Sequence, residues 1–511
     1  MGILRAILDK AAKADFSVLG NIYLGPSHFL KVGGVAYLGI MAAGAAIVLA
    51  VLVAWVYVVR RTARAGGGRA AFRLGAYGVP LLAVLAAYVT LVYPPTTDEP
   101  HYLVLTESLL RNGDLKVGRE YSEAVFTKFY PAPTIDAHAV ITQDGEMYSQ
   151  HTVGLPALIL LPYAVGGRWG VALLMAVLAA LLAAALYGIC RQSGVAHVPA
   201  TAAAGLLAVS IPGICTVSLV FTELPAAWLV AAALQGRRKP WLVALCAAAL
   251  PWLHPRYAVL SGGLFLLTAI ENGLTWALVA RWAACLGISG AGFLAAYHGP
   301  ALVAILSVIT EKYPSRIEEL SGNTLSRMAF ANPLAALAGK LLDRDFGLLP
   351  FAPIWLAAFP GAAIALRTGN PANRAFLAGA LPYLAVTCMY RNWGGSAFPG
   401  RTLVPLIPFL VPYLGLGLGR LRQSLPGRVA VAFAIGLTLW TSFLLTACPV
   451  FRYTSGREWL EGRMGSLAHI IPATAFPSLA APAGALLAVL WSALGLLLLA
   501  SYAWTRRAKR R

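Results

Sequence analysis

The feature that most constrains this chain is a succession of apolar runs, each long enough to be a helix at membrane depth and separated from the next by polar or basic joints. The runs cover 34–59, 76–93, 170–190, 199–218, 224–236, 241–253, 256–270, 278–298, 349–366, 374–390, 403–419, 429–448 and 483–503. A hydrocarbon core of ~30 Å takes about 20 apolar residues per crossing helix. Of the 511 residues, 59% are hydrophobic and only 12% charged, with a mean hydropathy of +0.72, more apolar surface than a soluble core can bury. The period-2 alternation of barrel strands is absent, and helices are the other structure that satisfies its backbone in lipid. The expected fold class is an all-α polytopic membrane protein of about 13 transmembrane helices, with a large, partly structured first outer loop.

Charge sets the expected topology. Arginine and lysine cluster between alternate spans: Arg60, Arg61, Arg64, Arg69 and Arg73; Arg237, Arg238 and Lys239; Arg420, Arg422 and Arg428; and the carboxy-terminal Arg506 to Arg511. The positive-inside rule puts these joints in the cytoplasm. The net charge of +20 is thereby accounted for by topology and anionic lipid, and nucleic acid is not expected as a partner. All of the 20 acidic residues except Asp9, Asp15 and Glu271 fall on the opposite side.

The organisation expected is an N-terminal amphipathic segment, 1–33, followed by one transmembrane domain, 34–511, with outer loops at 94–169, 299–348 and 449–482. Ile3, Leu4, Ile7, Leu8 and Ala11 share a helical face, which suits an interfacial helix better than a cleaved leader. Loops of such length are usually functional or disordered. The stretch Ile141–Ser149 reads as a hairpin turning at Asp144 and Gly145, so the first loop carries structure of its own. The six cysteines are scattered without ligand spacing and read as packing residues.

Directly after the second span comes TTDEPHY, Thr96 to Tyr102, which sets Asp98 and Glu99 side by side at the outer boundary. Adjacent carboxylates favour a tuned base, while Thr97 or Asp98 as a helix cap with Pro100 in the first turn accounts for the same residues structurally. Arg256 and His254 lie in HPRY, after a run of only about 21 Å at ~1.5 Å per residue, so this turn is expected below the outer surface. An arginine there needs an anion, either a ligand phosphate or an internal partner such as Glu223. Arg344, between Asp343 and Asp345, reads as a local ion pair. Arg391 and Arg401 bracket a glycine-rich turn beside Trp393 at the mouth of a span, where close backbone approach and a bidentate guanidinium suit phosphate. His101, His138 and His151 share the first loop with the carboxylates. No cofactor is implied by spacing, and a divalent cation held by carboxylate and imidazole stands beside a hydrogen-bonding role. Tyr102 and Tyr148 read as packing or sugar-stacking residues.

Asp98, Glu99, His101 and Tyr102 resemble the DExHF-type motif of protein O-mannosyltransferases, with tyrosine in place of phenylalanine. YSQHTVGLP (148–156), LLDRDFGLLPFAP (341–353) and NWGGSAFPGRTLVPLIP (392–408) resemble segments of bacterial proteins of the GT-C superfamily of membrane glycosyltransferases, which also includes aminoarabinose transferases. The likeness covers about 76–420, and an additional apolar span precedes it here. It implies a GT-C-like fold and inverting transfer of a sugar from a polyprenyl-phosphate donor to an acceptor hydroxyl on lipid, glycan or protein. The implied location is a bacterial cytoplasmic membrane, with the site facing the periplasm or the cell exterior. In that reading Asp98 and Glu99 are catalytic, and Arg401, Arg256, His254 and Arg391 hold the donor phosphate. His101, Tyr102, Tyr148, His151 and Trp393 contact the sugar or acceptor. A transporter or lipid flippase with the same outer cavity is the rival class, and a non-catalytic scaffold a third.

Overall fold

A computed structural model describes residues 21–32, 34–142, 144–297, 299–302, 333–368, 371–389, 397–464, 468 and 470–475. Helices dominate it, and among the described residues six are long and apolar enough to cross a membrane: Ala36–Arg64, Gly67–Val92, Gly154–Gln192, Trp276–Ala296, Arg401–Leu421 and Leu425–Ala447. The expected spans 199–218, 224–236, 241–253, 256–270, 349–366 and 374–390 are helical too, but shorter or less apolar than a full crossing. The last span, 483–503, lies outside the described residues. Short helices survive at membrane depth where neighbouring protein satisfies their ends.

The elements that build the site are α1 (Gly34–Arg64), α2 (Ala70–Val92), α3 (Glu99–Arg111), α4 (Gly154–Gln192), α5 (His197–Val209), α6 (Glu223–Gln235), α7 (Pro240–Leu253), α8 (Ala258–Asn272) and α9 (Trp276–Ala296). After them come α10 (Pro333–Leu342), α11 (Ala358–Arg367), α12 (Pro371–Cys388), α13 (Ile407–Leu421), α14 (Leu425–Ala447) and α15 (Thr454–Met464). The span containing α13 is 78% buried within the protein and forms the centre, whereas the α9 span is only 11% buried and lies at the periphery. Close approach at the centre depends on glycine: a Cβ on Gly361 would meet the Tyr413 carbonyl oxygen, and one on Gly417 that of Ala357. Glycine pairs of this kind let membrane helices touch backbone to backbone. At the basic end, Arg237 pairs with Glu271 at 3.1 Å, which explains the one acidic residue expected in the interior joints beyond the N-terminal segment.

The first outer loop is ordered. Helix α2 ends at Val92, and its last carbonyls are capped by buried Arg168, which donates to Thr90 O at 2.9 Å and Tyr93 O at 2.5 Å. Arg168 follows a break in α4 at Gly167, whose φ of 54° is open to glycine. The loop therefore ends at Gly154 rather than at residue 169, and its last turns already belong to a helix that kinks as it enters the membrane. The expected hairpin is present, with Ala139–Ile141 antiparallel to Met147–Ser149 and Val140 opposite Tyr148. Glu107 ties the loop together, accepting from Lys128 at 2.7 Å, Arg111 at 3.0 Å and Tyr163 at 2.6 Å.

Of the segment 1–33, residues 21–32 are described. Residues Asn21–Gly25 and His28–Lys31 form a β-hairpin, and the amphipathic run at 3–11 lies outside the described residues. Tyr23 of the hairpin packs 5.8 Å from Trp169, and Ser27 N donates to Lys128 O at 2.9 Å, so this part belongs with the outer loop. Tyr23 and Phe29 face each other across the two strands, an aromatic cross-strand pair of the kind that stabilises a hairpin.

Candidate active site

The chain turns sharply into α3. Thr97 adopts a φ of 54°, a strained conformation for a β-branched residue, and delivers Asp98 as the residue before the helix. Asp98 makes no side-chain cap; its carboxylate points away from the helix end. Glu99, the first helical residue, is 1% exposed and accepts from Thr96 N at 3.1 Å and Val220 N at 2.8 Å. The two adjacent carboxylates thus serve separate places. Glu99 ties the helix to the segment before α6, and Asp98 turns to the Arg401 guanidinium.

Asp98 meets Arg401, whose Nη2 donates to Oδ2 at 2.8 Å while Nε donates to Glu223 Oε1 at 2.7 Å. The Arg401 guanidinium lies 4.1 Å from the centre of the Phe221 ring. Arg256 Nη2 donates to the same Glu223 oxygen and, at 3.1 Å, to the Tyr257 hydroxyl. Two guanidinium groups and two carboxylates alternate in one chain: Asp98, Arg401, Glu223, Arg256. Glu223 Oε2 and Arg256 Nε are buried without a hydrogen-bond partner among the described residues. His254 Nδ1 accepts from Arg256 N at 3.2 Å, pinning the HPRY turn. Burial pushes the Asp98 carboxyl up, and the Arg401 guanidinium more than reverses this, holding it well below the usual carboxylate range.

On the other side of Asp98 are the histidines. His138 Nδ1 lies 3.8 Å from Asp98 Oδ1 and 3.3 Å from His151 Nε2. The His101 ring stacks on His138 at 3.7 Å, and its Nδ1 meets the Tyr121 hydroxyl at 2.7 Å. Tyr102 is buried with its ring 4.4 Å from His151. Burial lowers His151 to about 4 and lowers His138 as well.

Other expected residues lie elsewhere or beyond description. Tyr148 sits in the hairpin, bridged to Lys116 and packed near Val153 and Tyr297. Arg391 and Trp393 lie outside the described residues. Arg344 reaches out of its own turn to Glu461 of α15, with Asp345 4.0 Å away. Asp343 instead accepts from the backbone N–H groups of Asp345 and Phe346, because its short side chain closes a turn on itself. Phe221, Thr222 and Lys340 were not foreseen. Lys340, 3% exposed on α10, donates to Thr402 Oγ1 at 3.1 Å beside Arg401. A single lysine within an apolar helix was its only mark in the sequence.

Below the HPRY turn, an apolar groove of about 470 Å³ runs between α7, α8 and α9, lined by Pro251, Ala258, Gly262, Phe265, Trp282 and Leu286. Ala258 begins α8 only two positions after Arg256. Groove and Arg256 are therefore close along the chain, the one apolar and the other charged.

Fold and site together define a polytopic helical membrane protein with a cluster of two carboxylates and two guanidinium groups packed among its helix ends. No family model matches the chain, and no curated protein matches it. Two solved structures resemble it, both of ArnT from Cupriavidus metallidurans. The one bound to undecaprenyl phosphate has a TM-score of 0.45 and 16% identity, covering 78% of this chain and 74% of that one. The apo structure has a TM-score of 0.41 and 17% identity, covering 77% and 76%.

Proposed function

We propose that this protein is a membrane glycosyltransferase that moves a sugar from a polyprenyl-phosphate donor to an acceptor hydroxyl on the extracytoplasmic side. The observation that carries the reading is the chain Asp98, Arg401, Glu223, Arg256, with an apolar groove whose lining begins two positions after Arg256. A lipid phosphate needs this pairing of an apolar slot for its chain with guanidinium groups for its head.

In the transfer, the acceptor oxygen forms a bond to the anomeric carbon as the bond from that carbon to the phosphate oxygen breaks. The acceptor proton goes to Asp98 and the electron pair leaves with the phosphate, whose charge Arg401 and Arg256 stabilise. Attack opposite the leaving phosphate inverts the anomeric centre. In the resting site Arg401 belongs to Asp98, and a carboxylate so paired is a weak base. A donor phosphate that takes over the Arg401 fork returns basicity to Asp98, so donor binding precedes deprotonation of the acceptor.

Binding of undecaprenyl phosphate to the purified protein tests the assignment, because the planar two-pronged guanidinium is poorly replaced by lysine's point charge. Arg401→Lys is expected to weaken binding about ten-fold or more, and Arg256→Lys to weaken it as well. Arg119→Lys, on an exposed arginine, is the control and should bind as wild type does. Wild-type affinity in both Arg401→Lys and Arg256→Lys would remove the phosphate site and favour a transporter.

A further inference from the structure

The described residues converge on Asp98 from a second direction that the transfer chemistry does not use. Oδ2 of Asp98 is engaged by Arg401, while Oδ1 is turned toward His138. One ligand atom from each of Asp98, His138 and His151 lies within 4.8 Å of the other two, and two of the separations are 3.3 and 3.8 Å. A metal with bonds of about 2.0–2.1 Å to nitrogen and oxygen sets neighbouring tetrahedral ligands about 3.4 Å apart. The three side chains come from separate places: the start of α3, the extended segment before the hairpin, and the turn after it.

Hydrogen bonding alone leaves this arrangement incomplete. Two neutral imidazole nitrogens facing each other share at most one proton, and the carboxylate oxygen at 3.8 Å is too far to take part. Three lone-pair donors gathered within 4.8 Å of one another are the donor set a cation requires. His101 braces the cluster from behind, stacked on His138 and held by the Tyr121 hydroxyl, as outer partners hold metal-binding rings in orientation.

We propose that Asp98 Oδ1, His138 and His151 form a site for one divalent transition-metal ion of the zinc or cobalt kind. Imidazole and carboxylate together suit such ions better than calcium or magnesium, and three protein ligands leave a position open for water or an acceptor hydroxyl. The site stands on these three ligands and not on the transfer reading. Its test uses neither donor nor acceptor, so the two can fail separately.

The test is metal binding to the purified full-length chain after removal of metals with a chelator. Zinc is titrated in competition with a chromophoric chelator, and cobalt is followed by its visible ligand-field bands. Wild type should take up the ion stoichiometrically at micromolar concentration, with cobalt bands of low-coordinate imidazole ligation. His138→Ala and His151→Ala should each weaken binding about ten-fold or more. His28→Ala, on an exposed histidine of the first hairpin, should bind like wild type. Should monodisperse wild type bind neither ion, or should both ligand variants bind as tightly as wild type, the site does not exist. Folding of each variant is read from its elution profile and melting temperature, and because wild type alone can overturn the proposal, a variant that fails to fold does not protect it.

Discussion

Asp98 is held by a guanidinium 303 positions further along the chain, and its chemistry depends on that partner. Asp98→Asn keeps the shape of the side chain and removes the proton acceptor. On the proposed mechanism, turnover should fall by roughly 10² to 10⁴-fold with donor binding retained. A single-turnover transfer assay beside a donor-binding measurement decides it, and an unchanged rate would end the assignment of Asp98 as base. Glu99 has a different expected phenotype. Its carboxylate accepts two backbone N–H groups while fully buried, and Glu99→Gln replaces one acceptor oxygen with a donor that faces a donor. A loss of roughly 1–3 kcal/mol in stability is expected, read as a lower melting temperature. If Glu99→Gln melts like wild type yet abolishes turnover, Glu99 is catalytic and the tie to Val220 is incidental.

Among the elements, the joint between α2 and α4 governs where Asp98 stands. Arg168 bonds to Thr90 O and Tyr93 O at the end of α2, one turn before the strained Thr97. Arg168→Leu leaves those carbonyls without their buried donor and lets the α2 terminus fray. Reduced melting temperature together with weaker donor binding is the expected result, since Asp98 and its ion pair would lose their fixed position. A variant that melts early but binds donor normally would show that the joint supports stability alone. Gly167 shows why this joint was hard to foresee: a helix expected to start near residue 170 starts at Gly154 and bends at a glycine inside a continuous apolar run. Hydropathy detects the membrane crossing but is blind to a kink whose cause is one backbone angle.

At the scale of the whole molecule, charge asymmetry orients the chain. The proposed topology, with the first loop on the extracytoplasmic side, rests on the arginine clusters between alternate spans. A Gly145→Cys variant, at an exposed hairpin tip with φ of 81°, should react with a membrane-impermeant thiol reagent in intact cells. Labelling that appears only after lysis would reverse the topology and with it the proposed donor.

Sequence by itself determined the membrane class, the order of helices and a hairpin at 141–149, and it singled out Asp98, Arg256 and Arg401 as candidates. Each of these rests on local composition: apolar length, a turn-forming Asp-Gly pair, or a charge at the end of an apolar run. Tertiary structure alone decided that Asp98 and Glu99 part company, that Glu223 joins two arginines, and that His138 and His151 close on Asp98. Those pairings link residues 33 to 303 positions apart, so they depend on which helix ends the packed bundle brings together. Ion pairs and hydrogen bonds act over a few ångströms, and distances of that order across the chain are set only when the helices pack.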